Sequence, residues 1–129
     1  MRVLGLAIGA AVVMAAQAAA ADARFEKILQ RLAPPERLEQ LCDYTAMAEI
    51  RKDAGNFRPD RALSSAVSEP RATGDSLEAK GAAFRSRGKW YALTYSCQAS
   101  PDRMAVITFK YTVGPEIPEA KWAAYGLWN

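Results

Sequence analysis

The sequence predicts an α+β fold: N-terminal helices packed on one face of an antiparallel meander of about four strands, with a short C-terminal helix. Two observations predict this fold. Hydrophobic residues recur at helical spacing between residues 25 and 50, and they alternate with polar residues over much of residues 61 to 113. A chain that runs through helices first and strands afterwards is typical of a two-layer α+β domain.

The first 21 residues predict a secretory signal peptide. Arg2 precedes an apolar run over residues 3–16, and Ala18–Ala21 supplies the small residues of a cleavage site. The alternative is a membrane anchor, but Gln17 and the alanine-rich last third favour cleavage. We therefore expect one domain over residues 22–129, without a membrane span after cleavage, in the periplasm or outside the cell.

Two helical stretches are expected before residue 55. The first has apolar side chains from Phe25 to Leu32, and Pro34-Pro35 ends it because proline lacks the N–H that a helix interior needs. Pro35 suits the first turn of a second stretch, whose apolar face includes Cys42. A phase shift after Asp43 leaves open whether residues 35–52 form one helix or two.

Strands are expected from about residue 61. A weak alternation runs over residues 62–67, and stronger strands follow at about residues 77–86, 89–96 and 104–113. Arg87-Gly88 predicts a two-residue hairpin, and Gly81 inside a strand indicates a bulge or a close approach of backbones. Pro118-Glu119 opens the short C-terminal helix, and we expect Trp122 and Trp128 to pack back onto the domain.

Cys42 and Cys97 are the only two cysteines, and in an exported protein they predict a disulfide. The alternative is a redox or catalytic thiol. The chain has no C-x-x-C motif and no histidine to lower a thiol pKa, so the disulfide is favoured.

The composition of the chain excludes several classes of function. The formal net charge of +3 is too small for a nucleic-acid-binding protein, which normally has a strongly basic stripe on its surface. The absence of histidine excludes zinc sites and catalytic triads that depend on histidine. We therefore expect no catalytic residue, no metal and no cofactor, and we expect that the protein is not an enzyme. A hydrolase that uses Glu69 or Glu78 would need a polar cleft around them.

Positive charge is concentrated in the strands. Residues 61–114 have eight basic and four acidic groups, whereas the flanking segments are slightly acidic. Alternation along the hairpin would place Arg85, Arg87 and Lys89 on one side, with Lys80 nearby and Trp90 beside them. Basic groups beside an indole suit an anionic ligand, so these five residues are the candidate binding surface; the alternative is a solvated sheet face.

Four stretches in a fixed order also resemble those of a known family. They are Arg37–Cys42, Phe57–Arg61, Gly81–Tyr91 together with Cys97, and Ile117–Trp122. The chain resembles the domain of unknown function 930 family over residues 32–128. This resemblance implies a small exported protein of the alphaproteobacterial type with paired cysteines, and it implies no catalytic residue.

The sequence therefore favours a non-enzymatic exported domain that binds an anionic envelope component or a periplasmic protein. The alternative is an inhibitor of an envelope-degrading enzyme such as lysozyme.

Overall fold

The computed structural model describes residues 23–129, so the predicted signal peptide lies outside the described residues. The chain divides after Leu32 into two compact units, the second of which is Ala33–Asn129. In the first unit, residues 23–30 form helix α1. The predicted single domain that starts at residue 22 stays a prediction.

The second unit begins with one continuous helix, α2, over Pro34–Asp53. This settles the question of one helix or two over residues 35–52. Proline occupies the first helical positions, where the missing N–H costs nothing because no carbonyl of the helix could accept from it. Asp43 lies inside this helix and caps nothing; its side chain is buried with Cys42 and Ala46.

Five antiparallel strands follow: β1 (Pro59–Leu63), β2 (Arg71–Thr73), β3 (Ser76–Ser86), β4 (Lys89–Ala99) and β5 (Val106–Glu116). They form one sheet in the order β1-β3-β4-β5, and β2 pairs with β3 beyond the end of β1. The predicted α+β fold is confirmed. The chain ends in two short 3-10 turns, Glu119–Lys121 and Ala123–Tyr125, where one short helix was expected.

The weak strand predicted from alternation over residues 62–67 was wrong in its bounds. Strand β1 ends at Leu63, and residues 64–70 form a loop in which Ser64 and Ala66 are buried. The alternation of small residues in this loop therefore reflects burial without strand pairing. Strand β2 has only three residues, all of them exposed, so it has no alternation of buried and exposed side chains from which a strand could be predicted.

Gly81 meets both expectations for a glycine in a strand. The β3–β4 register shifts between Ala79 and Ala82, which is a bulge. The loop also approaches Gly81: its carbonyl accepts a 2.7 Å hydrogen bond from the Val67 N–H, and a Cβ added at Gly81 would overlap Ser68. The missing side chain thus allows the loop to pack against the sheet.

The first core lies between α2 and the sheet. Apolar side chains of the helix pack over β3 and β4 residues that point to the same face, among them Leu77, Phe84 and Leu93. The predicted disulfide is present here and joins Cys42 of α2 to Cys97 of β4, with Cα atoms 6.0 Å apart. Helix and sheet are therefore linked covalently across the core.

A second core covers part of the other sheet face. The segment after β5 folds back over Trp90, and Ile117, Trp122 and Leu127 are buried against it. The Trp122 indole N–H donates to the Ile117 carbonyl at 3.0 Å, which fixes the turn. Trp122 therefore packs onto the domain as expected.

Candidate functional site

The hairpin between β3 and β4 does not place its three cations on one side. Strand β3 ends at Ser86, and Arg87-Gly88 is a tight turn in which both residues have positive φ, as a two-residue hairpin requires. Lys89 then pairs with Ser86, whereas Arg85 pairs with Trp90. Because opposed residues share a face and neighbours alternate, Arg85 and Lys89 point to opposite faces. The expected one-sided arrangement was wrong because the turn interrupts the strand.

Trp90 is not a surface residue. Its side chain is fully buried in the second core, and its indole N–H donates to the backbone carbonyl of Trp128 at 2.8 Å. Its place in the candidate binding surface is therefore corrected: Trp90 anchors the C-terminal segment. The sequence predicted that Trp122 and Trp128 pack back onto the domain, but it did not predict that Trp90 lies beneath them.

The exposed indole at this position belongs to Trp128, which is 43% exposed. The rings of Trp90 and Trp128 meet edge to face with centroids 5.3 Å apart. The Arg85 guanidinium carbon lies 5.9 Å from the Trp90 centroid and 5.8 Å from the Trp128 centroid. The combination of a cation and an indole predicted from the sequence thus exists, but a different tryptophan supplies its exposed part.

Arg85 is held by Asp60 of β1. Its Nε and Nη2 donate to the two carboxylate oxygens at 3.0 and 2.8 Å, a two-pronged pair. These hydrogen bonds lower the pKa of the Asp60 carboxyl below its usual value, and they raise the pKa of the Arg85 guanidinium. The position of Arg85 is therefore fixed, and its charge is partly neutralised.

Strand β1 and the residue before it bring two further cations to the same end of the sheet. Arg61 lies directly opposite Arg85 in the β1–β3 register, and the Arg58 N–H donates to the hydroxyl of Ser86 at 2.8 Å. We name this group the basic corner; it consists of Arg58, Arg61, Arg85, Arg87 and Lys89. The sequence offered one indication of the two added arginines, since Phe57–Arg61 is among the stretches that resemble the family.

Most of the basic corner lacks a neutralising carboxylate. Among the described residues, Arg85 is the member of the corner with a carboxylate within 4 Å. The guanidinium of Arg58 donates to the carbonyls of Gly55 and Phe57, and that of Arg61 donates to the carbonyl of Asp60. Carbonyl oxygens satisfy N–H groups without cancelling charge, so the corner keeps a net positive charge.

Lys80 is separate from the basic corner. It lies five residues before Arg85 along β3, which corresponds to about 16 Å, and a bulge intervenes. It lines a shallow depression of about 210 Å³ with Glu69, Glu78 and two other polar residues, Ser68 and Arg71. The two glutamates proposed for a hydrolase do share this depression, and their side chains are exposed beside two cations.

Sequence reasoning missed a buried polar network around Asp43. The hydroxyl of Tyr95 donates to its Oδ1 at 2.7 Å, and the backbone of Ser64 also hydrogen-bonds to the carboxyl. The Ser64 hydroxyl donates to Glu39 at 3.0 Å. Burial raises the pKa of Asp43 to about 7, although both hydrogen bonds oppose the shift. The network therefore connects α2, β4 and the β1–β2 loop through side-chain and backbone hydrogen bonds.

Residues 23–129 contain neither a metal-binding cluster nor a membrane-spanning helix. No three or more His, Cys, Asp or Glu side chains cluster so that they could hold a metal ion. No helix in the same range is both long enough and apolar enough to span a membrane.

Comparison with known proteins identifies the family. No curated protein and no solved structure matches the chain. The family model described as Domain of Unknown Function (DUF930) matches residues 29–127, a range that contains every strand of the sheet, both cysteines and the whole basic corner. The chain therefore belongs to the DUF930 family.

Proposed function

We propose that the protein is an exported, non-enzymatic binding domain whose basic corner binds an anionic component of the cell envelope. The observation that supports this most directly is the register that places Arg61 opposite Arg85. Like charges directly opposed across two strands destabilise a sheet. The Asp60 carboxylate pairs with Arg85 alone, whereas Arg61 donates to the Asp60 backbone carbonyl, so excess positive charge remains at these opposed positions.

An anion bound at this position would relieve that repulsion. A guanidinium presents several N–H donors in one plane and binds carboxylate or phosphate with two hydrogen bonds at once. Arg85 already has its geometry fixed by Asp60, whereas Arg61, Arg87 and Lys89 are exposed and face solvent. The corner thus combines one cation held by a carboxylate with three that are exposed to solvent.

Export is supported by the apolar N-terminal segment and by the disulfide. Disulfides persist in oxidising compartments such as the periplasm and are rare in the cytosol. Cys42 and Cys97 are both paired, and the described residues contain no free cysteine. A partner encountered in that compartment is an envelope polymer, a lipid surface or a periplasmic protein.

The test is crosslinking in cells with the tagged protein, followed by identification of the retained material. The variant Arg61→Gln/Arg87→Glu/Lys89→Glu removes charge from the corner but keeps the Asp60–Arg85 pair. The control is Lys80→Glu, which reverses one positive charge at an exposed strand position outside the corner.

We expect an anionic component to be retained by the parent protein and by the Lys80 variant, and to be lost with the corner variant. Equal retention by all three proteins would refute the proposal. A lysozyme-inhibition assay tests the alternative: inhibition that survives the corner variant would favour the inhibitor function.

A further inference from the structure

The cations of the basic corner surround the end of the sheet. Arg61 and Arg85 share the face that Trp128 covers, Lys89 points to the opposite face, and Arg87 occupies the turn at the tip. The depression next to the corner is lined by Pro59 and Asp60, among others, and by none of the five cations. The charges therefore lie around the end of the sheet, and none of them lines this depression.

This shape decides which anionic partner fits. A small anion needs a concave site in which several donors converge on it. Cations arranged around the end of a sheet can instead approach a broad charged plane that meets this end. The headgroup layer of an anionic bilayer is such a plane, and each Lys or Arg near it contributes to binding.

Trp128 is the second feature that fits a membrane surface. Its ring is 43% exposed beside Arg85, on a chain that buries its other two tryptophans. An indole has an apolar body and a polar N–H, and tryptophan is enriched where a bilayer meets water. We propose that the basic corner and Trp128 together dock the protein on a membrane surface rich in anionic phospholipid. This inference rests on the proposed function and names its partner.

The geometry of Trp128 suits shallow insertion. Its backbone carbonyl accepts the hydrogen bond from Trp90, so the main chain is held while the ring stays at the surface. Arg85 lies against the ring and is itself fixed by Asp60. The indole would enter the headgroup layer while the surrounding cations meet phosphate groups.

The experiment is vesicle sedimentation with the protein as recovered from expressing cells, its N-terminus identified by mass spectrometry. One vesicle set contains equal parts phosphatidylglycerol and phosphatidylcholine, and the other contains phosphatidylcholine alone. Four proteins are compared: the parent, Arg87→Glu/Lys89→Glu, Lys80→Glu and Trp128→Ala. Because all four have the same N-terminus, any contribution of that segment cancels.

We expect binding to the anionic vesicles only, with a decrease of at least about fivefold for each corner cation that is reversed and a loss near 0.5 M salt. The Lys80 variant should bind like the parent. Brominated lipid should quench part of the tryptophan fluorescence of the parent, and the Trp128 variant should lose that quenching. Thermal unfolding of each variant checks that it is folded.

Three results would overturn docking on lipid. They are equal binding to both vesicle sets, unchanged binding by the Arg87/Lys89 variant, and a decrease for Lys80→Glu as large as for the corner variant. Binding to lipid-free envelope glycan or to a periplasmic protein, without binding to vesicles, would also overturn it. That last outcome would leave the proposed function intact.

Discussion

The hydroxyl of Tyr95 donates a 2.7 Å hydrogen bond to the carboxyl of Asp43, and both side chains are almost fully buried between α2 and β4. The contact lies one residue from Cys42 on the helix and two from Cys97 on the strand. A buried carboxyl is costly when ionised, and the pKa of about 7 expresses that cost.

The first prediction is that stability decreases as pH rises from 5 to 8. In the unfolded chain Asp43 ionises near its ordinary pKa of 3.8, whereas in the folded protein it keeps its proton up to about pH 7. Between these values the folded state binds the extra proton, so its stability falls with rising pH and then levels off. The expected loss between pH 5 and pH 8 is about 3 kcal/mol in the free energy of unfolding, measured by urea titration.

The variant Asp43→Asn tests the assignment because its amide keeps an acceptor for Tyr95 but cannot ionise. Its stability should be nearly the same at pH 5 and pH 8. The control is Asp60→Asn at the surface, whose pKa is lowered and which therefore titrates below this range. If the pH dependence persisted in the Asp43 variant, another group would be responsible.

The second prediction concerns the disulfide. It closes a loop with a sequence separation of 55 residues, and the loss of chain entropy in the unfolded state corresponds to about 4 kcal/mol of stability. The variant Cys42→Ala/Cys97→Ala should therefore unfold at markedly lower urea concentration. A thiol titration of the native, unreduced protein should find no reactive group, and two reactive thiols would contradict the pairing.

The third prediction separates the two tryptophans at the C-terminal segment. Trp90→Ala removes a fully buried ring and should cost about 3–5 kcal/mol of unfolding free energy. Trp128→Ala removes a side chain that is 43% exposed and keeps the carbonyl that accepts from Trp90, so the loss should be smaller, about 1–2 kcal/mol. Denaturant unfolding measures both; similar losses would mean that Trp128 is part of the core.

The sequence predicted the helix–sheet architecture because strong periodicity and turn residues are local signals. Arg87-Gly88 and Gly81 are examples: the backbone conformation that each needs can be inferred from a few neighbouring residues. The disulfide was predictable too, since only one pairing of Cys42 and Cys97 exists. Strand β2 gave no such signal because its three residues are exposed and it exists only by pairing with β3.

The sequence predicted the cationic character of the candidate site but not all of the residues that form it. Its cationic character follows from composition, and Arg85, Arg87 and Lys89 do lie at one end of the sheet. Arg58 and Arg61 join them through the pairing of β1 with β3, a contact between residues about 25 positions apart. Trp128, and not Trp90, is the exposed tryptophan beside the cations because of where the C-terminal segment folds. No local sequence pattern determines that position.

The fourth prediction concerns the approach of the β1–β2 loop to the sheet. A Cβ at Gly81 would overlap the backbone N and the side chain of Ser68, so Gly81→Ala must displace the loop and its 2.7 Å hydrogen bond from Val67. We expect a loss of about 2–3 kcal/mol in the free energy of unfolding. The control is Gly55→Ala, where an added Cβ meets nothing within 4 Å and stability should change by less than about 1 kcal/mol. Ser64 lies in the same loop, so displacing the loop removes a hydrogen bond that lowers the Asp43 pKa but also admits water to the carboxyl. Because burial has the largest effect on this pKa, the net result should be a decrease. The decrease in stability between pH 5 and pH 8 should then be smaller in Gly81→Ala than in the parent, whereas an unchanged decrease would show that the loop does not shield this carboxyl.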